Sequence, residues 1–305
     1  MFTRRKFIGT TLGAGVALAT GCATQPFGKR TIVDSQIHLW KASSPDYPWN
    51  PGAKPQLPEP FTIERALPMM DEAGIGRVVV VPPGLNDVNT YALEAARRYP
   101  NRFAVMGRIP LDDPKSAALL PRWKAQPGML GVRVTFNTPP TLKWLSDGTA
   151  DWFWPAAEKA QLPVMFLAFG NVNRFGPIAQ RHPGLPLIID HMGVNLAIAK
   201  EGRTAEVIGH AVAIAKYPNV SIKMSNLVNA SLEPYPFRDL TPHLQRVFDA
   251  YGPQRCHWGT DLTAGYARAT WSQRVAHFTE ELKFMSESDK DWVMGRSVRE
   301  KLKWA

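Results

Sequence analysis

The segment LPLIIDH, residues 185–191, is an apolar run that ends in an acid and an imidazole. The segment RVVVVP, residues 77–82, is apolar in the same continuous way. A strand with one face in solvent alternates apolar and polar residues, whereas the strands of a parallel sheet are covered on both faces and are apolar throughout. These two segments therefore predict buried, parallel strands.

Six further runs rich in apolar and β-branched residues alternate with helical patterns after Lys29. They are residues 31–39, 102–109, 131–136, 162–169, 219–225 and 255–261. Eight strands separated by helices predict a parallel sheet, and eight is the number that closes a (β/α)₈ TIM barrel. We therefore predict one barrel domain over residues 30–305, with a doubly wound open sheet as the alternative. The proline-rich segment 43–60 is expected to form a long loop between the first strand and the first helix.

The charge balance bears on the choice of partner. The chain has 305 residues and a formal net charge of +10, but it contains no run of five or more basic residues. Nucleic-acid binding is therefore only weakly supported, and we expect no nucleic-acid partner. A positive field also suits a small carboxylate substrate. The two cysteines, Cys22 and Cys256, do not form a zinc-finger pattern.

The first 25 residues have the pattern of an export signal. Arg4 and Arg5 precede an apolar stretch of small residues, and the segment TRRKFIG resembles a twin-arginine signal. The segment ATGC, which ends at Cys22, partly resembles a lipoprotein cleavage site. We expect a protein exported by the twin-arginine machinery, periplasmic or facing the periplasm through a lipid anchor at Cys22. An ordinary cytosolic N-terminus with a chance arginine pair is the alternative.

Polar residues stand at the carboxyl ends of most predicted strands, where a TIM barrel carries its site. They are Gln36, His38, Arg108, Arg133, His191, Lys223 and Asp261. Gln36 and His38 share one face, because residues two apart on a strand point to the same side. Asp34 lies one step deeper and Asp190 points to the other face, so both are expected to be structural.

Each candidate has a functional and a structural interpretation. Asp261 follows the last strand as a general base or as a helix cap. His38 and His191 polarise a substrate or are buried structural imidazoles. Arg133 holds a substrate carboxylate or pairs with an internal acid. Arg108 and Lys223 are weaker candidates for substrate binding. The remaining histidines are expected to be a buried structural residue, His257, or solvated side chains: His182, His210, His243 and His277.

Three motifs together resemble one family. DSQIHLW, IIDHMG and HWGTD, in this order on strands 1, 6 and 8, resemble the amidohydrolase superfamily, and most closely the branch that includes pyrone-dicarboxylate lactonase. The resemblance extends from about Thr31 to the end of the chain. It implies a (β/α)₈ barrel, a water-activating aspartate at Asp261 and active-site imidazoles at His38 and His191.

One departure from the family pattern concerns the metal. The superfamily has Asp-x-His-x-His on strand 1, and here Gln36 stands at the first histidine position. An amide is a weak metal ligand. This substitution, and the metal-free chemistry of the branch that the chain resembles, favour a site without a cofactor. A mononuclear ion such as zinc on His38, His191 and Asp261 is the alternative.

The sequence therefore predicts a lactonase-like hydrolase. Its substrate is expected to be a lactone or similar ester on a small, carboxylate-bearing ring, with Asp261 as base and Gln36 among the substrate-binding residues. One alternative is a metal-dependent decarboxylase of an aromatic or unsaturated acid. The other is an exported barrel that binds a ligand without turning it over.

Overall fold

The strands form the barrel that the sequence predicts. The structure, a computed structural model, describes residues 30–86 and 89–305. Within them a parallel eight-stranded sheet runs in chain order and curves into a nearly closed barrel. The strands are β1 (Ile32–Ile37), β2 (Ile75–Val80), β3 (Phe103–Gly107), β4 (Met129–Thr135), β5 (Val164–Leu167), β6 (Leu187–Ile189), β7 (Val220–Met224) and β8 (Cys256–Trp258).

Helices follow the strands and cover the outside of the barrel. The α-helices are α1 (Ile63–Glu72), α2 (Thr90–Arg98), α3 (Pro139–Lys143), α4 (Phe153–Lys159), α5 (Gly176–Arg181), α6 (Leu196–Lys200), α7 (Thr204–Ala213), α8 (Thr241–Tyr251), α9 (Trp271–Ala276), α10 (Glu287–Asp291) and α11 (Ser297–Leu302). The connection from β3 to β4 is a 3₁₀ segment, Pro114–Ala125, which contains Pro121. A proline inside a helix removes a backbone donor and disfavours a regular α-helix there.

The barrel interior and its outer layer form two apolar cores. Val33, Val79, Met106, Met165 and Ile188 point inward from their strands. The side chains of Val298 and Leu302 on α11 join this inner core and extend it at one end. The intervening residues of the same strands pack outward against the helices. Both faces of each strand are therefore buried, which explains the unbroken apolar runs.

The long loop after β1 also agrees with the sequence. Residues 38–62 contain neither a helix nor a strand beyond one isolated bridge between Ser44 and Tyr47. The compact barrel unit comprises Thr31–Ala305. Among the described residues, no helix is both long and apolar enough to span a membrane. The expected signal segment, residues 1–25 with Arg4, Arg5 and Cys22, lies outside the described residues.

Candidate active site

Strands β1, β6 and β8 bring three of the predicted residues together at the carboxyl end of the barrel. The Asp261 carboxylate lies between two imidazoles. Its Oδ1 is 3.1 Å from His38 Nε2, and its Oδ2 is 3.5 Å from His191 Nε2. All three side chains are buried but line a cavity of about 390 Å³. The site therefore offers a carboxylate and two imidazoles to one small ligand.

The hydrogen bonds of His38 determine where its protons are. Nδ1 is 2.7 Å from the Val81 carbonyl oxygen, which can only accept, so Nδ1 carries a proton. A bare Nε2 would place its lone pair 3.1 Å from the Asp261 carboxylate, which is repulsive. When the ring is protonated, Nε2 faces Oδ1 with its proton, and His38 and Asp261 form an imidazolium–carboxylate pair.

His191 has the opposite arrangement. Its Nδ1 is 2.8 Å from Ser225 Oγ, and its Nε2 is 3.2 Å from the amide nitrogen of Gln36. An amide nitrogen only donates, so Nε2 accepts and Nδ1 carries the proton. Burial lowers the pKa of His191 to about 4, which keeps the ring neutral. The two imidazoles are thus distinct: Nε2 of His38 faces the Asp261 carboxylate, whereas His191 is neutral and its Nε2 accepts from Gln36.

Asp261 remains ionised in this setting. Burial would by itself raise the pKa of its carboxyl, but the interactions with His38 and the positive charge of Arg133 bring the pKa below its ordinary value. Its backbone is left-handed, with φ of 49°. His191 and Met192 are also left-handed, with φ of 55° and 56°. Such strain in non-glycine residues concentrates at functional sites.

Lys223 does not face the cavity, which corrects its expected role as a substrate ligand. Its side chain is fully buried, and Nζ lies 2.8 Å from Asp190 Oδ1 and 2.6 Å from Gln36 Oε1. The other oxygen of Asp190 is 3.1 Å from Arg133 Nε. Arg133, Asp190 and Lys223 thus form a buried ion cluster with a net charge of +1 (two cations and one anion). Asp190, expected to be structural, is its anion.

Gln36 and Arg133 combine internal and cavity-facing positions. Both line the cavity, yet Gln36 is fully buried and both ends of its amide have partners within the protein. Its expected role as a substrate ligand stays a prediction. Arg133 pairs with Asp190 inside the protein, which agrees with the structural interpretation of this residue. It also donates to Thr135 Oγ1 at 2.7 Å. Its side chain is 6% exposed and still reaches the cavity surface.

Asp34 links β1 to the segment that follows β8, where the barrel closes. Its Oδ1 accepts from the backbone nitrogens of Gln36 and Thr260, at 3.0 and 2.9 Å. Its Oδ2 accepts from Trp271 Nε1 at 2.9 Å and from the Thr260 hydroxyl. The backbone nitrogen of Asp261, the next residue, donates to the Gln36 carbonyl at 2.9 Å. Asp34 therefore sets the distance between the β1 and β8 parts of the site.

A second cavity adjoins the first. It measures about 440 Å³ and is lined by Arg108, Trp144 and, like the first cavity, by Arg133 and Asn137. Arg108 is therefore near the site, and it lines a further cavity together with His38. Several amides that no sequence pattern singles out line the first cavity: Gln56, Asn195, Asn226 and Asn229. Gln56 lies in the proline-rich loop, and no pattern in that loop predicts which residues turn inward.

The histidine predictions were partly wrong. His257 is a buried imidazole, as expected, and lies 2.8 Å from Ser297 Oγ. His277 was expected to be solvated but is 2% exposed, against the rings of Phe237 and Phe278. Burial lowers the pKa of His277 to about 4. Phe237 is distant from His277 in the sequence, and helix periodicity does not report such a contact.

The donors of the site do not fit a resident metal ion as they are arranged. A zinc site needs three or four free lone pairs from His, Cys or carboxylate groups. Here His191 Nε2 already accepts from Gln36, and a proton lies between His38 and Asp261. In residues 30–86 and 89–305, no group of three or more His, Cys, Asp or Glu side chains has an arrangement that could hold a metal ion. The expectation of a metal-free site stays a prediction.

Comparison with known proteins identifies the family of this barrel. A family model described as Amidohydrolase matches residues 33–296. The chain belongs to the amidohydrolase family. The predictions of this family, of a TIM barrel and of a hydrolase enzyme are thus confirmed.

Two curated relatives of this amidohydrolase are L-fucono-1,5-lactonases. The one from Burkholderia ambifaria is 28% identical over 243 residues, which are 75% of this chain and 79% of the relative. The one from Burkholderia multivorans is 25% identical over 264 residues, which are 81% and 87% of the two chains. At this identity the similarity is to lactone hydrolases in a broad sense.

Solved structures share the fold of the amidohydrolase. An amidohydrolase from Burkholderia multivorans with bound zinc has a TM-score of 0.74 and 20% identity, over 90% of this chain and 99% of that one. A probable 2-pyrone-4,6-dicarboxylic acid hydrolase from Acinetobacter baumannii has a TM-score of 0.70 and 18% identity, with the same shares covered. A 5-carboxyvanillate decarboxylase from Sphingomonas paucimobilis has a TM-score of 0.65 and 15% identity, again with these shares.

Proposed function

We propose that this amidohydrolase hydrolyses a lactone, or a similarly activated ester, on a small ring. The observation that carries the proposal is the Asp261 carboxylate, held between His38 and His191 at the floor of a small cavity. The names of the curated relatives support a lactone as the substrate class.

Asp261 acts as the base that activates water. Oδ1 is engaged by the His38 imidazolium at 3.1 Å, which leaves Oδ2 as the oxygen that takes the proton. Water attacks the carbonyl carbon of the lactone as its proton moves to Oδ2. The ring C–O bond then breaks, and the same proton passes to the leaving alkoxide oxygen. Asp261 is thereby restored, and the product is a hydroxy acid.

The charge that develops on the carbonyl oxygen needs a positive partner. His38 carries the proton that it shares with Asp261, and Arg133 belongs to an ion cluster with a net charge of +1. His191 is neutral and accepts at Nε2, so it does not supply positive charge. His38 and Arg133 are therefore the groups that stabilise the oxyanion.

The cavity walls suit a polar ring with an anionic substituent. Arg133 lines both cavities, and Arg108 lines the second one. We propose that Arg108 holds a substrate carboxylate in the second cavity, while Arg133 faces the developing oxyanion. The amides that line the first cavity, beside His38, His191 and Asp261, suit ring hydroxyls, because an amide can both donate and accept.

The test is a hydrolysis assay with a panel of lactones, in which acid release is followed with a pH indicator. The panel pairs neutral sugar lactones with carboxylate-bearing ring lactones, and the enzyme is first treated with a chelator. We expect turnover that survives chelation and falls by about 10³-fold or more in Asp261→Asn. Loss of activity on chelation, or carbon dioxide release from aromatic acids, would favour the decarboxylase alternative. Binding without turnover would favour a ligand-binding barrel.

We also propose that the protein is exported by the twin-arginine machinery and reaches the periplasm, with or without a lipid on Cys22. The arginine pair and the small-residue stretch after it support this. Arg4→Lys with Arg5→Lys is expected to leave the full-length precursor in the cytoplasm. Periplasmic protein from that double variant would refute the proposal.

A further inference from the structure

We propose that Lys223 and Asp190 hold the Gln36 amide in one orientation, and that this orientation keeps a metal ion off His191. Both residues are thus positioning residues, and neither touches substrate. The inference rests on the proposed function in that it concerns the same site. It does not depend on which ester is hydrolysed.

The first step is the orientation of the amide. Lys223 Nζ lies 2.6 Å from one end of the Gln36 side chain, and an ammonium group can only donate. The amide oxygen must therefore face Lys223. The amide nitrogen then faces the other way, 3.2 Å from His191 Nε2.

The second step concerns the lone pair of His191. The amide nitrogen donates, so it occupies the lone pair on Nε2, and the ring proton sits on Nδ1 toward Ser225 Oγ at 2.8 Å. A metal ion would need that same lone pair. The amide N–H group therefore occupies the position that a metal ion bound to His191 Nε2 would take.

The third step is the stability of this orientation. Rotating the amide by 180° would put its NH₂ group against the Lys223 ammonium and its carbonyl oxygen against the Nε2 lone pair. Lys223 and Gln36 are both fully buried, so water cannot replace the lost hydrogen bonds. Lys223 cannot move away either, because Asp190 Oδ1 holds it at 2.8 Å. The orientation of Gln36 thus depends on the buried ion cluster.

The experiment first measures the wild-type protein, which removes any dependence on a variant's folding. Ring ¹³C and ¹⁵N NMR shifts distinguish the two neutral tautomers, and the His191 signals are those lost in His191→Asn. We expect a proton on Nδ1 and a bare Nε2. A proton on Nε2 in the wild-type protein would overturn the proposal.

The second measurement is a calorimetric titration with Zn²⁺ of the metal-stripped protein. Gln36→Glu keeps the size of the side chain and its contact with Lys223, but it presents an oxygen to Nε2 in place of N–H. Lys223→Met leaves Gln36 in place and frees its amide to rotate. We expect zinc to bind each variant at least about 10-fold more tightly than wild type, the range over which groups around a metal site alter affinity.

Lys290→Met is the matched control. Lys290 is also buried, and it donates to the Thr279 carbonyl and to Glu287, outside the site. We expect no change in zinc affinity there. Equal zinc affinity in wild type, Gln36→Glu and Lys223→Met would overturn the proposal, as would stoichiometric zinc on wild-type His191. If no lactone of the panel is hydrolysed, the proposed function is refuted. The His191 tautomer and the zinc affinities would still test the present proposal.

Discussion

Replacing Asp190 by Asn should destabilise the fold far more than removing either of its partners. In the buried ion cluster a single carboxylate faces two cations, Lys223 at 2.8 Å and Arg133 at 3.1 Å, and all three side chains are at most 6% exposed. Asp190→Asn leaves two positive charges without an anion. Lys223→Met leaves one cation and one anion, which still compensate each other.

The loss of unfolding free energy in Asp190→Asn has an upper limit. Breaking a buried pair costs about 3–5 kcal/mol of unfolding free energy. Lys223 can instead give up its proton, and bringing a pKa from about 10.4 to 7 costs roughly 5 kcal/mol, so the loss in Asp190→Asn cannot much exceed that value. Lys223→Met removes one donor from the Gln36 oxygen, which costs about 1–3 kcal/mol. We expect about 4 kcal/mol for Asp190→Asn and about 2 kcal/mol for Lys223→Met.

Urea denaturation followed by circular dichroism measures both losses, and the double variant measures the coupling. Because Lys223→Met removes one of the stranded charges, the double variant should lose about 2 kcal/mol less than the sum of the single losses. Burial already lowers the pKa of Lys223 in the wild-type protein, and without the Asp190 carboxylate, which opposes this effect, the pKa would fall further below its unfolded value. The unfolded chain then binds more protons, so stability should rise with pH from 7 to 10. Equal losses of unfolding free energy in the two single variants, without a rise of stability with pH in Asp190→Asn, would refute the argument from the charges of the buried ion cluster.

Two further predictions concern the buried residues His277 and Gly259. Burial lowers the pKa of His277 to about 4, so below pH 6.5 the unfolded chain binds more protons and stability falls as the pH drops. His277→Phe should remove up to roughly 3 kcal/mol of that fall between pH 6.5 and 4, and parallel wild-type and variant curves would contradict the burial. A Cβ on Gly259 would lie 2.4 Å from Ser35 Oγ, so Gly259→Ala should cost about 1–3 kcal/mol in a urea titration. At Gly76 a Cβ would meet nothing closer than 3.6 Å, and Gly76→Ala, the control, should change stability much less.

The fold was predictable because its signals are local. Continuous apolar runs mark strands that are covered on both faces: β6 lies within the run 185–191, and β2 overlaps the run 77–82. Helix ends were also marked: α8 ends at Tyr251, directly before Gly252, which has φ of 69°. The 3₁₀ segment between β3 and β4 was not predicted, since its character depends on how two prolines fit against neighbouring strands.

The site was predictable in its membership but not in its connections. The strand-end rule picks out His38, His191 and Asp261, because every strand of a parallel barrel ends on the same side. It cannot tell a cavity-facing cation from a buried one. Lys223 ends a strand just as Arg133 does, yet only the packing of β6 beside β7 places Asp190 within 2.8 Å of its ammonium.

The hydrogen bonds around His38, His191 and Asp261 decide what these three residues can do. Two imidazoles and a carboxylate could hold a metal ion if all their lone pairs were free. Here a carbonyl fixes one proton on His38, and the Asp261 carboxylate fixes the other. An amide, fixed in turn by Lys223, occupies the lone pair of His191. The proton positions are thus set by Val81, Gln36 and the buried ion cluster. Changing the chemistry of this barrel would therefore require changes beneath the cavity as well as at its walls.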